Sequence, residues 1–180
     1  MDRFFEREQT YGTIFGSEKV KKEISRLYES ISPEEILTEH GATGGNQHIF
    51  FSLIRPGDRV IAFSPSYQQF YSAPEALGAE VTVLRLRREN GYLPDLDELS
   101  QAAARGVRMI CLNNPNNPTG TLIPSDMLKD IVTIARQSGA YLFCDEVYSG
   151  VSIDGARSLP VCDLYEKGIA TGSMSKAFSL

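Results

Sequence analysis

The sequence is poor in the residues that build disulfide frameworks and metal centres. Its 180 residues include 3 cysteines and 2 histidines. An odd number of cysteines without paired spacing argues against disulfides and against a zinc site. His40 and His48 form neither a catalytic triad nor a metal-ligand cluster that the sequence supports. We therefore predict no metal, and we interpret Cys111 and Cys144, which lie in apolar strand patterns, as small core residues.

The sequence also lacks a surplus of positive charge and long hydrophobic runs. The formal net charge is −5, so no basic surface points to a nucleic-acid partner. No apolar run reaches the length of a membrane span. Residues 1–8 lack the apolar centre of a signal peptide. We expect a cytoplasmic protein with neither nucleic-acid nor membrane partners.

The composition is that of a globular protein, with 42% hydrophobic and 23% charged residues. A chain of 180 residues is long enough for one domain with a substantial core. The sequence contains no linker and no internal repeat. We therefore predict a single domain over residues 1–180.

Short apolar stretches alternate with helical patterns along the chain. A helix is predicted after Ser17, and others are predicted over 46–54, from Ser64 onwards with an interruption at Pro74, over 95–104, and from a cap at Ser125 to Gly139. The predicted strands are 36–38, 59–63, 80–86, 107–112, 141–144 and 169–172. This alternation predicts an α/β fold with a mainly parallel sheet and helices on both faces.

Unusual residues follow the carboxyl ends of these predicted strands. They are Gly41-Ala42-Thr43, Tyr67, Asn117 and Asp145, and Lys176 follows the last strand. In open α/β sheets, ligands bind at that edge. Most lysines are simply solvated, but this arrangement predicts that Lys176 faces a crevice shared with the other residues.

The glycine-rich stretch 41–45 has two interpretations. With Thr43, backbone amides at a helix N-terminus form an anion site suited to a phosphate. The alternative is a plain turn between a strand and a helix. A dinucleotide site is excluded, because the spacing is not G-x-G-x-x-G and no acidic residue follows the second predicted strand.

The other candidate residues also have ordinary structural alternatives. Tyr67 either stacks on a flat ring or is a half-buried core aromatic. Asn117 either contacts a ligand oxygen or only shapes a turn between prolines. Asp145, which leaves a buried strand, needs a partner such as a protonated ring nitrogen or a helix-capping amide. Ser173 and Ser175 either bind a phosphate or cap the following turn.

Three motifs in this order identify a family resemblance. They are Asn116–Gly120, Cys144–Tyr148 and Ser173–Lys176, with support from Pro56–Asp58 and Pro65–Tyr67. The chain resembles the large domain of a class I/II (fold type I) aminotransferase, the pyridoxal-phosphate-dependent family that includes aspartate aminotransferase. The resemblance extends over nearly the whole chain.

The resemblance implies a role for each candidate residue. Lys176 would hold pyridoxal 5'-phosphate as a Schiff base, and Asp145 would pair with its ring nitrogen. Asn117 and Tyr148 would contact the ring hydroxyl oxygen, and Tyr67 would stack on the ring. The resemblance assigns the phosphate to Ala42, Thr43 and Ser173. Lys176, Asp145 and Tyr148 would be the catalytic residues.

The resemblance further implies a dimer, because Tyr11 matches the position that reaches the phosphate of the neighbouring subunit. The implied reaction moves an amino group between an amino acid and a 2-oxo acid. Other pyridoxal-phosphate chemistry (a decarboxylase, lyase or cyclase) and a non-catalytic remnant are the alternatives. The same cofactor-binding residues would serve each of these reactions.

The sequence departs from the family pattern at its end. It stops at Leu180, before the arginine that completes the phosphate site in the family and before the family's small domain. We expect a truncated large domain that lacks the C-terminal small domain and has little or no activity alone. The strand that follows the lysine in the family would be missing from between the first strand and the strand before the lysine, which would leave an interior gap.

Overall fold

The computed structural model describes residues 12–151 and 158–180. By their internal contacts the residues divide into two units, Met1–Glu39 and His40–Leu180. The prediction of one domain over the whole chain stays a prediction. Across the described residues, none of the helices combines the length and apolar character that a membrane span requires.

The described part of the first unit is short and helical. Helix α1, Glu18–Ser25, begins after Ser17 as predicted. The predicted strand at 36–38 is wrong. Pro33–Glu35 form a single 3-10 turn, and no regular structure follows it up to Glu39. Pro33 suits the first position of such a turn, and the Glu35 carboxylate accepts a hydrogen bond from the Ser32 amide at 2.9 Å.

The second unit is built on a five-stranded sheet with the order β2-β1-β3-β4-β5. Each neighbouring pair is parallel. The strands are β1 Arg59–Ser64, β2 Glu80–Arg85, β3 Met109–Asn113, β4 Tyr141–Asp145 and β5 Gly168–Thr171. Since the expected first strand does not form, the described sheet has no interior gap, and β5 lies at its outer edge.

Helices cover both faces of this sheet. They are α2 Gly41–Leu53, α3 Gln69–Ala76, α4 Leu96–Ala103, α5 Ser125–Ser138 and α6 Val161–Leu164. The short helix α7, Met174–Ala177, follows β5 in the chain. Alternate residues of β3 point to opposite sides: Met109 and Cys111 pack with residues of α2 and α3, whereas Ile110 and Leu112 pack with residues of α4, α5 and α6. The prediction of an α/β fold with a mainly parallel sheet between two layers of helices is confirmed.

The predicted element boundaries are correct in some places and wrong in others. The Asp95 carboxylate caps α4 by accepting hydrogen bonds from the amides of Asp97 and Glu98, each at 3.0 Å. At α5 the capping position is occupied by Pro124, and Ser125 is the first helical residue. Pro74 lies inside α3 without ending it.

The glycine-rich turn predicted at 41–45 is wrong, because these residues form the first part of α2. Glycine weakens a helix interior by about 1 kcal/mol relative to alanine. Packing outweighs this preference here: the side chains of Asn46 and Phe50, one helical turn apart, are fully buried. Gly41 itself has φ +76°, a left-handed conformation at the entry to the helix.

Candidate active site

Polar residues from three adjacent strands meet at the carboxyl edge of the sheet. The register pairs Asn113 of β3 with Asp145 of β4, and Asp145 with Thr171 of β5. The strands were predicted to end before Asn113 and Asp145, yet both residues lie within them. Because Asp145 and Thr171 are register partners, Asp145 lies beside the end of the strand that leads to Lys176.

Asp145 is a buried carboxylate held by two hydrogen bonds. Its side chain accepts one from the Asn46 amide at 2.9 Å and one from the Val147 backbone amide at 3.0 Å. Only 5% of Asp145 is exposed. Burial raises the pKa of this carboxyl, and the two hydrogen bonds oppose the rise. A cation placed beside Asp145 would stabilise its ionised form.

Asn46 is a site residue that the sequence analysis missed. Its amide nitrogen donates to Asp145 and also to the Gln69 side-chain oxygen at 3.2 Å. Its amide oxygen accepts a hydrogen bond from the Thr171 hydroxyl at 2.8 Å. The available signal was its position four residues before Phe50, since a polar residue on the buried face of a helix requires partners.

The first turn of α2 lies beside this network. Backbone amides in the first turn of a helix have no partner within the helix, and Ala42 and Thr43 occupy that turn. The Thr43 carbonyl accepts a hydrogen bond from the Gln69 side-chain amide at 2.9 Å. The Thr43 and Tyr67 hydroxyls lie 3.4 Å apart. Free amides, a hydroxyl and the positive end of the helix dipole together form a site suited to a phosphate.

Tyr67 lies at the rim of the site, with 37% of its surface exposed. Its ring makes an edge-on contact with Phe70, with the ring centroids 6.0 Å apart. Phe70 in turn packs edge-on against Phe143 of β4 at 5.7 Å. The Tyr67 ring thus packs against the aromatic core on one side, and part of its surface stays accessible to solvent.

Asn117 is anchored to the same edge through Asn113. The Asn117 backbone amide donates to the Asn113 side-chain oxygen at 2.6 Å, and the Asn113 side-chain nitrogen donates to the Asp145 carbonyl at 3.0 Å. The surrounding loop contains cis peptide bonds before Pro115 and Pro118. The loop that carries Asn117 is therefore tied to the end of β4.

Lys176 lies in the short helix α7 and is exposed. Its Nζ atom is 6.0 Å from the centroid of the Tyr148 ring, and Tyr148 follows Asp145 by three residues. Ser173 caps α7: its hydroxyl oxygen accepts from the Ser175 amide at 3.1 Å and lies 2.8 Å from the Ser175 hydroxyl. Tyr11 lies outside the described residues.

Glu146 is a second buried carboxyl that the sequence analysis did not single out. Only 6% of it is exposed, and its Oε1 accepts a hydrogen bond from the Val161 amide at 3.0 Å. Its backbone amide donates to the Thr171 carbonyl at 2.8 Å. Burial raises the pKa of Glu146 to about 8, the Val161 hydrogen bond opposes this rise, and the charges of Asp163 and Asp145 add to it. The turn after β4 is thus anchored to both β5 and α6.

Comparison with known proteins identifies the family. The model of the family described as aminotransferase class I and II matches residues 5–180. The LL-diaminopimelate aminotransferase of Syntrophobacter fumaroxidans is 32% identical over 149 residues, which are 81% of this chain and 38% of that protein. The aspartate aminotransferase of Pyrococcus horikoshii is 32% identical over 151 residues, covering 83% of this chain and 39% of that protein.

Solved structures share the fold. A pyridoxal-phosphate-dependent aminotransferase from Streptococcus suis superposes with a TM-score of 0.94 at 44% identity, over 99% of this chain and 47% of that one. The N-succinyldiaminopimelate aminotransferase of Mycobacterium tuberculosis gives 0.86 at 28% identity, over 97% and 48% of the two chains. The chain therefore spans less than half the length of these relatives. It belongs to the class I and II aminotransferase family.

Proposed function

We propose that the protein transfers an amino group between an amino acid and a 2-oxo acid, with pyridoxal 5'-phosphate as its cofactor. The observation that carries this proposal is the buried Asp145 carboxylate, joined by hydrogen bonds to the first turn of α2. One site thus offers an anion for a ring nitrogen and free amides for a phosphate. The names of the related aminotransferases support the same reaction.

The residues present fit this cofactor. A protonated ring nitrogen would offset the burial that raises the pKa of Asp145. The amides of Ala42 and Thr43, the Thr43 hydroxyl and Ser173 offer donors for a phosphate dianion. The partly exposed ring of Tyr67 offers a face for stacking. When bound, pyridoxal phosphate supplies an electron-withdrawing ring that accepts the electron pair released at the substrate Cα.

Each residue of the chain then has a defined task. Asp145 holds the proton on the ring nitrogen, which keeps the ring electron-withdrawing. Asn117 and Tyr148 donate hydrogen bonds to the ring hydroxyl oxygen. Lys176 would hold the cofactor covalently through Nζ, and its free amine would serve as the general base for the proton at the substrate Cα.

Three further features remain proposals that rest on the family resemblance. They are the assignment of residues 1–180 to one cofactor-binding large domain, a homodimer in which Tyr11 reaches the neighbouring phosphate, and a cytoplasmic location. Sedimentation of the protein with and without pyridoxal phosphate tests the second. A monomer under both conditions would contradict it.

Reductive labelling tests the cofactor assignment directly. Borohydride reduction of the chain in the presence of pyridoxal phosphate should fix the cofactor on Lys176, as peptide mapping by mass spectrometry detects. The matched control is Lys167→Ala: Lys167 is also exposed, but its Nζ donates to the Gly139 carbonyl at 2.9 Å, away from the site. Lys167→Ala should keep the label, and Lys176→Ala should lose it. A label distributed over several lysines would contradict the proposal.

The reaction type needs a separate measurement. The proposal predicts that a form of the protein as long as its relatives makes a 2-oxo acid from an amino acid only when a second 2-oxo acid is present as acceptor. The 180-residue chain alone should show little or no turnover. Release of carbon dioxide or ammonia without an acceptor would instead indicate a decarboxylase or a lyase. No labelled lysine and no product would leave a non-catalytic remnant as the better description.

A further inference from the structure

Asn46 is the buried centre of a hydrogen-bond network at the carboxyl edge of the sheet. It is fully buried, so water does not replace its partners. A side-chain amide carries two N–H donors and one oxygen acceptor. Both donors are used, toward Asp145 at 2.9 Å and Gln69 at 3.2 Å, and the oxygen accepts from Thr171 at 2.8 Å.

These partners define which way the amide faces. An ionised carboxylate only accepts hydrogen bonds, so it requires the nitrogen of Asn46. The Thr171 hydroxyl donates to the oxygen on the other side of the amide. A rotated amide would set its oxygen against the Asp145 carboxylate, and the Thr171 hydroxyl would lose the acceptor to which it now donates. Thr171 therefore holds the Asn46 donor toward Asp145.

The same network reaches the first turn of α2. Gln69 accepts from Asn46 and donates to the Thr43 carbonyl at 2.9 Å. Asp145 and Thr43 are thus connected through two side-chain amides. A displacement of Asn46 would disturb both ends of this chain of contacts.

We propose that Asn46 is a positioning residue that holds the Asp145 carboxylate ionised and oriented toward the cofactor ring, and that Thr171 fixes the Asn46 amide for this task. The proposal deepens the proposed function and rests on it, because the task has meaning only if a ring nitrogen meets Asp145. Asn46 acts through Asp145 and is not itself a catalytic residue. Within the part of the chain that the structure describes, the Val147 amide is the only other donor to the Asp145 carboxylate.

The test is a carbon-13 NMR titration of the Asp145 carboxyl in the full chain without cofactor. Asn46→Ala should raise the pKa of Asp145, because burial then acts with one opposing hydrogen bond fewer. Thr171→Val, which keeps the shape of a β-branched strand residue but removes the hydroxyl, should raise it less. The matched control is Asn116→Ala, since the buried Asn116 amide donates to Pro65 and Thr119 and does not contact the Asp145 carboxylate.

The outcomes separate this inference from the proposed function. An upward shift in Asn46→Ala and Thr171→Val, with none in Asn116→Ala, supports the inference whether or not cofactor binds. If Asn46→Ala does not fold, the Asp145 titration in Thr171→Val alone tests the inference. An unchanged Asp145 titration in the folded variants overturns the inference.

Cofactor binding is then measured with pyridoxal phosphate by its absorbance. The original chain should bind it, and Asn46→Ala should bind about 10- to 100-fold more weakly, the range expected for the loss of one hydrogen bond to a charged group. Failure of the original chain to bind would contradict the proposed function but leave the titration result standing. Equal affinity of the two proteins would overturn the positioning role.

Discussion

Asp145 is a buried carboxyl, and within the described residues its side chain accepts from the Asn46 and Val147 amides and forms no ion pair. We predict that Asp145→Asn lowers the affinity for pyridoxal phosphate by about 10- to 100-fold, because a hydrogen bond to a charged group contributes about 1.5–3 kcal/mol. The nitrogen of the new amide would also face a donor, either the Asn46 side chain or the Val147 backbone amide. Absorbance titration with the cofactor measures the loss.

The matched control is Asp126→Asn. Asp126 is an exposed carboxylate that forms a surface ion pair with Lys129 at 3.2 Å, and such pairs contribute little. Its removal should leave the affinity unchanged. Equal affinities of the Asp145→Asn protein and the original chain would show that the buried carboxylate does not contact the cofactor.

At this scale the sequence revealed the residues that carry recognisable chemistry. Asp145 and Lys176 stand out because each follows a predicted apolar strand and belongs to a motif of the family. Asn46 could not be identified in the same way, because its partners Asp145 and Thr171 lie 99 and 125 positions away in sequence. Glu146 belongs to a predicted motif, but its contact with Val161 depends on the path of the chain between them. Side-chain partners over such separations follow from the fold and not from spacing.

At the level of elements, α2 provides a matched pair of glycines. Gly41 has φ +76°, which costs an alanine about 1–2 kcal/mol. Gly44 lies within the helix without a positive φ, and an added Cβ would have no atom within 4 Å. We predict that Gly41→Ala lowers the free energy of unfolding by about 1–2 kcal/mol, and that Gly44→Ala raises it by about 0.5–1 kcal/mol.

Urea denaturation of the chain without cofactor measures both changes. The two substitutions add the same methyl group within one helical turn. Opposite changes in the free energy of unfolding would therefore come from the different backbone conformations of Gly41 and Gly44. Destabilisation by both, to a similar degree, would show that residues 41–45 do not form the described start of α2.

The elements themselves were largely predictable from the sequence. The sequence located all five strands of the sheet. It located β1, β3 and β4 as continuous apolar runs, as expected of strands buried on both faces, β5 as a short apolar stretch, and β2 from the alternation of its residues. The start of α2 was missed because local glycine preference was given more weight than the packing of Asn46 and Phe50. The false strand at 36–38 came from three residues, too few for a periodic pattern to distinguish strand from loop.

For the molecule as a whole, Glu146 makes stability depend on pH. Its pKa is about 8 in the folded chain against an ordinary 4.5. Below pH 4.5 the Glu146 carboxyl is protonated in both the folded and the unfolded chain, so its stabilising contribution to the free energy of unfolding is fully present. Between pH 4.5 and 8 the unfolded chain releases the proton while the folded chain keeps it, which favours unfolding. Above pH 8 the folded chain also releases the proton, and this stabilising contribution is lost. We predict that Glu146→Gln gains stability relative to the original chain as pH rises from 5 to 8.

Chemical denaturation at several pH values between 5 and 8 measures this difference. Glutamine keeps an oxygen that can accept from the Val161 amide but does not titrate. Glu75→Gln is the control, because Glu75 is an exposed carboxylate on α3. A constant difference between Glu146→Gln and the original chain over this range would show that Glu146 does not retain its proton in the folded state.

The two-sided core has a consequence for how the strands are aligned. Both faces of β3 are apolar, so sliding the strand by one residue would exchange Met109 and Cys111 for Ile110 and Leu112 at little hydrophobic cost. The polar residue at the carboxyl end of β3 distinguishes the two alignments. Only in the native alignment does the Asn113 side-chain amide donate to the Asp145 carbonyl. The residues that we assign to the cofactor edge would therefore also select the strand alignment. Deleting one residue within β3 should displace this edge by about 3.3 Å even where the hydrophobic pattern is preserved.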